Sequence, residues 1–243
     1  MFGFMQLFVC DFQIKGDIIV IEDRDILNQI RKVLRMKIGD SFFVQKKINP
    51  SKRYKIKIKE WNDKTLYSDI EGIEDKGLEI NKANYGMIVA MPNRRDKLEL
   101  IVQKLTEIGI NDIIFWPAER SVIKKSNESK FQRLSKISKE ALEQSWGWHL
   151  PKIEFISNLE NLIKNSKLIV FDKGVNTVNG VNTVNGVNTV RDNIYGLVGP
   201  EGGLTQKDYD GFGKNFEIIS LGDSVLRMET AAIIGGWLIK NYK

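Results

Sequence analysis

The chain has 243 residues, 42% of them hydrophobic, enough for one large domain or two smaller ones with separate cores. Lysine and arginine number 37 against 31 aspartates and glutamates, a net charge of +6 that by itself points only weakly to a polyanionic partner. One cysteine, Cys10, excludes an intrachain disulfide and a thiolate-rich zinc site, and one histidine, His149, argues against chemistry built on several imidazoles. No run approaches the roughly 18 apolar residues of a membrane-spanning helix. The opening MFGFMQLFVCDFQ lacks the basic flank and cleavage pattern of a signal peptide. The expectation is a metal-free cytoplasmic protein.

Residues 1–78 read mainly as short strands. Gly16-Asp17 and Gly39-Asp40 supply turns, and a helix from about Asp25 to Arg35 sets Ile26, Leu27, Ile30, Val33 and Leu34 on its inner face. From Arg53 to Lys59 basic and apolar or aromatic residues alternate, which places the lysines on one face of a strand. These elements suggest a small β-barrel carrying a helix. Between Arg31 and Lys59 eleven basic residues stand against one acid, Asp40, so the remainder of the chain is net acidic. Two readings stay open: a solvated, lysine-protected edge strand, or a basic face along RNA phosphates.

From about Asn84 strand and helix alternate, the pattern of a parallel α/β sheet. A strand over Gly86 to Met91 precedes a helix from about Asp96, with Leu98, Ile101, Val102, Leu105 and Ile108 at helical spacing and Gly109 as its stop. A strand at Ile113 to Trp116 follows, then a helix over Glu128 to Ser145 that buries Phe131, Leu134, Ile137, Ala141 and Leu142. Further strands fall at Leu168 to Phe171, Ile194 to Val198 and Phe216 to Leu221, before an apolar helix from about Thr230 to Asn241. Three copies of a six-residue unit, GVNTVN GVNTVN GVNTVR, fill 174–191 and read as an expanded surface loop without catalytic role.

Two clusters near the end of the chain carry chemistry. In Leu197-Val198-Gly199-Pro200-Glu201-Gly202-Gly203 a strand closes in glycines, which let backbone approach a flat ligand and free amides to donate to it; a tight strand-to-helix turn is the plainer reading. In Leu221 to Ala232 an arginine and a glutamate flank the start of an apolar helix. Glu229 alone is an ordinary first-turn acid, whereas Arg227 between Leu226 and Met228 calls for a partner or a ligand.

Together GPEGG and LGxxxLRxETAA resemble the SPOUT superfamily of methyltransferases. Val33 to Asp40 (VLRMKIGD), Lys97 to Gly109 (KLELIVQKLTEIG), Glu119-Arg120-Ser121 and Glu143-Gln144-Ser145 extend the resemblance to the 16S rRNA (uracil-N3)-methyltransferase family over nearly the whole chain. The resemblance implies a PUA-like β-barrel over 1–78 that binds RNA, a trefoil-knotted α/β domain over 79–243 that holds S-adenosylmethionine, and a homodimer packed through the knotted domains. Carried over, the cofactor lies against Leu197, Gly199, Glu201, Gly202, Leu221, Gly222, Val225, Leu226 and Met228, with Arg227 facing the methyl-transfer site. The sequence departs from the family pattern at Trp146-Gly147-Trp148-His149, where an arginine usually follows Gln-Ser, and at Gln29 and Gln6.

The implied reaction is methylation of uridine N3 in 16S rRNA of the small ribosomal subunit. Arg227 would stabilise the uracil anion, with Glu201, Glu229 or water as base. Arg31, Arg35, Arg53, Lys55, Lys57 and Arg120, joined by Lys124, Lys125, Lys130 and Arg133, would hold phosphates. Trp146, Trp148 or Trp116 would offer a stacking face to an unpaired base. Two alternatives remain: a SPOUT enzyme acting on ribose 2′-O or another base, and a non-catalytic RNA-binding assembly factor.

Overall fold

A computed structural model describes residues 6–48, 50–77, 84–123, 128–173, 193–213 and 216–241, the side chains of 128–130 excepted. The hexapeptide repeat, Lys124, Lys125, the side chain of Lys130 and the expected junction at 78/79 lie outside the described residues. The chain divides into two compact units, Met1–Ile80 with Leu142–His149, and Asn81–Ala141 with Leu150–Lys243.

The first unit holds β1 (Leu7–Val9), β2 (Gln13–Lys15), β3 (Ile18–Ile21), α1 (Arg24–Asn28), β4 (Ser41–Gln45), β5 (Lys52–Trp61) and β6 (Leu66–Asp75). They form one sheet in the order β1-β4-β5-β6-β3-β2. The β1–β4 ladder is parallel and the others are antiparallel. The core gathers Phe8, Ile19, Phe42, Ile56, Ile58 and Leu66 under Ile26 and Ile30. Asp23 caps α1 by accepting from the amides of Asp25 and Ile26.

The expected helix to Arg35 is α-helical only to Asn28 and then widens into a π-helical turn over Gln29–Val33. The wider turn carries Val33 and Leu34 off the inward stripe. Val33 is 71% exposed and Leu34 39%, so neither is the core residue its spacing predicts.

β5 turns Ile56 and Ile58 inward and Lys57 and Lys59 outward, with a register irregularity between Lys55 and Ile56. Across the same ladder β6 brings acids to those lysines: Lys55 to Glu71 at 3.1 Å, Lys59 to Asp69 at 3.3 Å and Lys52 to Asp75 at 3.5 Å. The excess of positive charge counted along the sequence is thus partly met by acids that lie outside the counted stretch.

Arg53 corrects an expectation. It is only 4% exposed and does not stand ready for RNA. Its guanidinium donates to Gln45 Oε1 at 2.8 Å and to the carbonyls of Trp146 and Gly147 at 2.7 and 2.6 Å, and it lies 3.8 Å over the Trp148 ring. Burial lowers its pKa, with Glu74 at 3.9 Å acting in the opposite sense. Trp146 and Trp148 are therefore committed to this cation, and Trp146 also meets Phe43 edge-on. Nearby, Glu143 accepts from the amide of Val9 at 2.8 Å.

The second unit contains β7 (Tyr85–Ala90), α2 (Arg95–Ile108), β8 (Asp112–Trp116), α3 (Glu128–Ser145, its last turn counted with the first unit), β9 (Lys152–Phe155) and α4 (Glu160–Ile163). It continues through β10 (Ser166–Phe171), β11 (Asn193–Val198), α5 (Gln206–Gly211), β12 (Phe216–Ile219) and α6 (Met228–Lys240). All ladders are parallel, in the order β12-β10-β11-β7-β8-β9. One apolar cluster gathers Ile101, Leu105, Phe115, Phe171 and Ile239, and another Ile88, Ile114, Val170, Leu197 and Phe212, as expected for a sheet buried on both faces.

Gly109 ends α2 in the left-handed region at φ 83°, as its position predicts. Phe131, expected in the core, is 36% exposed and meets Phe155 edge-on. Trp116 is buried and packed against Phe212, so it offers no stacking face to a base. α6 seats closely because Gly235 and Gly236 present no side chain: a Cβ there would lie 2.6 Å from Phe171 and 2.5 Å from Leu105.

Arg53→Met should lower the unfolding free energy of the first unit by about 3 kcal/mol, because it strands two carbonyls and the Gln45 oxygen around a buried site. Urea unfolding followed by tryptophan fluorescence measures this; a change within about 0.5 kcal/mol would place Arg53 among ordinary surface residues.

Candidate functional site

In a parallel sheet every strand delivers its following loop to the same edge. The loops after β7, β8, β10, β11 and β12 therefore gather at the carboxyl edge, and both glycine-bearing motifs are among them.

After β11, Gly199 must lack a side chain because a Cβ would fall 2.8 Å from Leu204 Cγ. The turn closes through Gly203 N to Pro200 O at 2.8 Å, with Gly203 at φ 76°. Thr205 then starts α5 in a capping box with Asp208. The turn after β8 grips this loop: Arg120 donates to the Gly202 carbonyl at 2.7 Å, Glu119 N to Asp208 at 3.0 Å, and Thr205 Oγ1 to Glu119. Glu119-Arg120 thus serves the loop, and Arg120, expected on RNA, is already engaged with Gly202.

After β12, Gly222 takes φ 120°, and the Ser220 hydroxyl donates to Gly222 O at 3.1 Å and accepts from Gly222 N at 3.3 Å. Lys173, just beyond β10, donates to the Asp223 carbonyl. Leu221 and Leu226 are half-buried, Val225 is 82% exposed and Met228 is buried. Leu197 is buried within β11. Arg227 occupies the N-cap of α6, where its carbonyl accepts from Ala231 N at 2.9 Å. Its side chain is exposed and makes no hydrogen bond or ion pair among the described residues.

Lys97 joins the two loops. Its Nζ lies 2.7 Å from Glu201 Oε1 in the first and 3.6 Å from Glu229 Oε2 at the start of α6. The three side chains are 18%, 32% and 12% exposed, and Glu229 Oε2 is buried without a hydrogen-bond partner. The Glu201 hydrogen bond raises the Lys97 pKa above 10.5 against the effect of burial. Burial alone would raise the Glu201 carboxyl, but hydrogen bonds from Lys97 and from the amides of Glu201 and Asn93 hold it below 4.5. The motifs of the sequence give Lys97 no role of its own, yet a signal is present. Lys97 stands four residues before Ile101 and eight before Leu105, on the stripe of α2 that turns inward.

The cluster carries two carboxylates and one ammonium, an excess of one negative charge. The same two loops carry half-buried and exposed apolar side chains, Leu221, Leu226 and Val225, and glycine backbone at Gly203 and Gly222 with open space where a Cβ would stand. Apolar contact for a flat base and main-chain groups for hydrogen bonding fit a nucleoside ligand.

Of the residues expected on RNA in the first unit, Arg35 and Lys57 are exposed. Arg31 lies 5.2 Å over the Trp61 ring and donates to the Asn62 carbonyl, and Lys55 is paired with Glu71. In the second unit Arg133 is engaged with Glu99. His149 is exposed. Among the described residues no helix is long and apolar enough to cross a membrane, and no three His, Cys, Asp or Glu residues cluster as metal ligands.

Residues 81–238 match the family model of the RNA methyltransferase domain. The chain is 31% identical over 151 residues to the ribosomal RNA small subunit methyltransferase E of Bacillus subtilis, covering 57% of this chain and 58% of that protein. It thus aligns with somewhat less than two thirds of that relative's length. It is 32% identical over 164 residues to the protein of the same name from Mesomycoplasma hyopneumoniae, covering 63% of this chain and 68% of the relative. Its fold resembles the crystal structure of a ribosomal RNA small subunit methyltransferase E from Neisseria gonorrhoeae bound to S-adenosyl methionine. That likeness has a TM-score of 0.77 at 21% identity, over 98% of this chain and 97% of the other.

The Lys97–Glu201 pair sets a pH dependence. A carboxyl with a depressed folded pKa adds stability above its unfolded value and loses it as pH falls through the folded one; a lysine with a raised pKa adds stability that vanishes as pH rises through its folded value. The Tm difference between wild type and Glu201→Gln should therefore be constant through neutral pH, shrink below 4.5 and shrink again above 10.5. A difference that does not vary with pH would dissociate the pair from stability.

Proposed function

Because the chain belongs to the ribosomal RNA small subunit methyltransferase E family, we propose that it transfers a methyl group from S-adenosylmethionine to N3 of a uridine in 16S rRNA. One observation carries the reading: two glycine-bearing loops meet at the carboxyl edge, with the unpartnered guanidinium of Arg227 beside them.

The loop residues Leu197, Gly199, Glu201, Gly202, Leu221, Gly222, Val225, Leu226 and Met228 would hold the cofactor. When bound, S-adenosylmethionine supplies an activated methyl group on a sulfonium. The chain must then align the uracil nitrogen with it and stabilise the anion left when the N3 proton departs. Arg227 would meet the second of these demands, since a cation at uracil O2 or O4 stabilises the uracilate as its charge develops. Lys97 holds the basicity of Glu201 down, which disfavours that carboxylate as the proton acceptor.

N3 lies on the pairing edge of the base, so the target is unpaired or flipped. We assign residues 1–78 to RNA binding as a PUA-like domain, with Arg35 and Lys57 as the phosphate contacts best exposed for it and Lys55 and Arg31 in supporting places. We assign residues 79–243 to a knotted methyltransferase domain. The return of the chain from the sheet edge at β12 to pack α6 on β11, β7 and α2 supports this assignment. A homodimer through that domain is supported by an exposed apolar stripe on α6, Ile234, Trp237 and Leu238.

The test is methyl transfer from labelled S-adenosylmethionine to small ribosomal subunits lacking the modification, followed by nucleoside analysis. The expected product is 3-methyluridine; label on a ribose or another base would overturn the assigned atom. Arg227→Ala should lower turnover at least about a hundredfold while the S-adenosylmethionine Kd stays near the wild-type value. In a separate measurement, Arg35→Ala with Lys57→Ala should reduce the salt dependence of RNA binding by a log–log slope of about 2. An unchanged slope would remove both residues from the interface.

A further inference from the structure

The loops after β11 and β12 are separated in the chain by α5 and β12, and each has its own internal turn bonds. Among the described residues Lys97 is the side chain that binds a carboxylate from each motif, Glu201 of GPEGG and Glu229 of LRMETAA. It projects from the first turn of α2, a helix whose Leu105 is pressed against Gly236 of α6. The anchor is therefore rigid, and so is one of the two partners, since Glu229 lies in the first turn of α6. The other partner, Glu201, rides on a turn. A cation fixed between a rigid carboxylate and one on a turn holds the turn in place.

We propose that Lys97 is a positioning residue: it ties the two cofactor loops together before the cofactor arrives, so that binding does not have to order them. The inference rests on the reading of this site as one for S-adenosylmethionine. Losing the tie leaves two carboxylates to repel each other across the same gap, which opens the loops. A ligand that meets a smaller competent fraction binds correspondingly more weakly.

The experiment is calorimetric titration of S-adenosylmethionine into intact wild-type protein and into Lys97→Met, Lys97→Arg and Glu229→Gln variants, with Tm measured without cofactor. Lys97→Met is expected to raise Kd at least about tenfold and Lys97→Arg to restore most of the affinity. The Tm without cofactor should fall in Lys97→Met by no more than in Glu201→Gln at neutral pH and stay near the wild-type value in Lys97→Arg, a pattern that general loss of packing would not give. Glu229→Gln removes one arm of the tie and leaves the lysine paired, so it keeps the test open even if Lys97→Met folds poorly. It too should weaken binding, and combined with Lys97→Met it should be no worse than Lys97→Met alone. A Kd within about twofold of wild type in both single variants, or fully additive effects in the pair, would overturn the tie. A wild-type chain that takes up no S-adenosylmethionine would instead overturn the reading of the site itself.

Discussion

The direction of the ladders in the second unit constrains everything proposed for it. Six strands run parallel, so consecutive strands must be joined by crossovers, and every loop leaving a strand end does so at the same edge. Residues as far apart as Lys97, Arg120, Lys173, Glu201 and Asp223 meet there because the backbone hydrogen bonds bring their strands into register. An antiparallel sheet would have sent alternate loops to opposite ends. The glycines at 235 and 236 complete the arrangement by letting α6 settle on Phe171 and Leu105, which fixes where its first turn, with Arg227 and Glu229, begins.

Several cations of this protein are consumed internally. The lysines of β5 answer the acids of β6, Arg120 answers the Gly202 carbonyl, and Lys97 answers two glutamates. Arg227 differs in having no such partner among the described residues, although it stands within the same group of loops. An unpaired cation at a helix N-terminus gains nothing from the helix dipole, which favours negative charge there. In the proposed reaction its partner would be an anion that forms or binds nearby. The uracilate of the proposed reaction is such an anion.

How much of this is legible in the sequence depends on whether the signal is local. The α/β alternation, the extent of α2 to its left-handed Gly109 and the two glycine motifs are written in consecutive residues, and the structure follows them. The short β9, α4 and α5 escape a periodicity reading, since four to six residues scarcely express a period. Val33 and Leu34 are misplaced by it because periodicity assumes 3.6 residues per turn and a π-helical turn breaks that assumption. Arg53 misleads for a different reason. Its alternation with lysines is real, but its partners, the carbonyls of Trp146 and Gly147, lie more than ninety residues away. No local pattern announces them. The loop residues proposed for the cofactor rest on family resemblance, whereas Lys97 needs only a helical stripe to be noticed.

Two of the engaged cations, Arg53 and Lys97, show why residue type matters more than charge. Arg53 meets neutral carbonyls and an indole face, a setting that suits a planar, weakly hydrated fork able to donate in several directions while it stacks. A lysine there would keep the charge and lose both the geometry and the stacking. Lys97 meets two carboxylates at unequal distances, 2.7 and 3.6 Å, and a compact ammonium on a flexible stem can sit between them without having to match a plane. The same distinction applies to the unpaired arginine. To stabilise an anion spread over the oxygens of a uracil ring, a planar donor that can address an oxygen edge-on is better suited than a point charge, and in the proposed reaction Arg227 would be that donor.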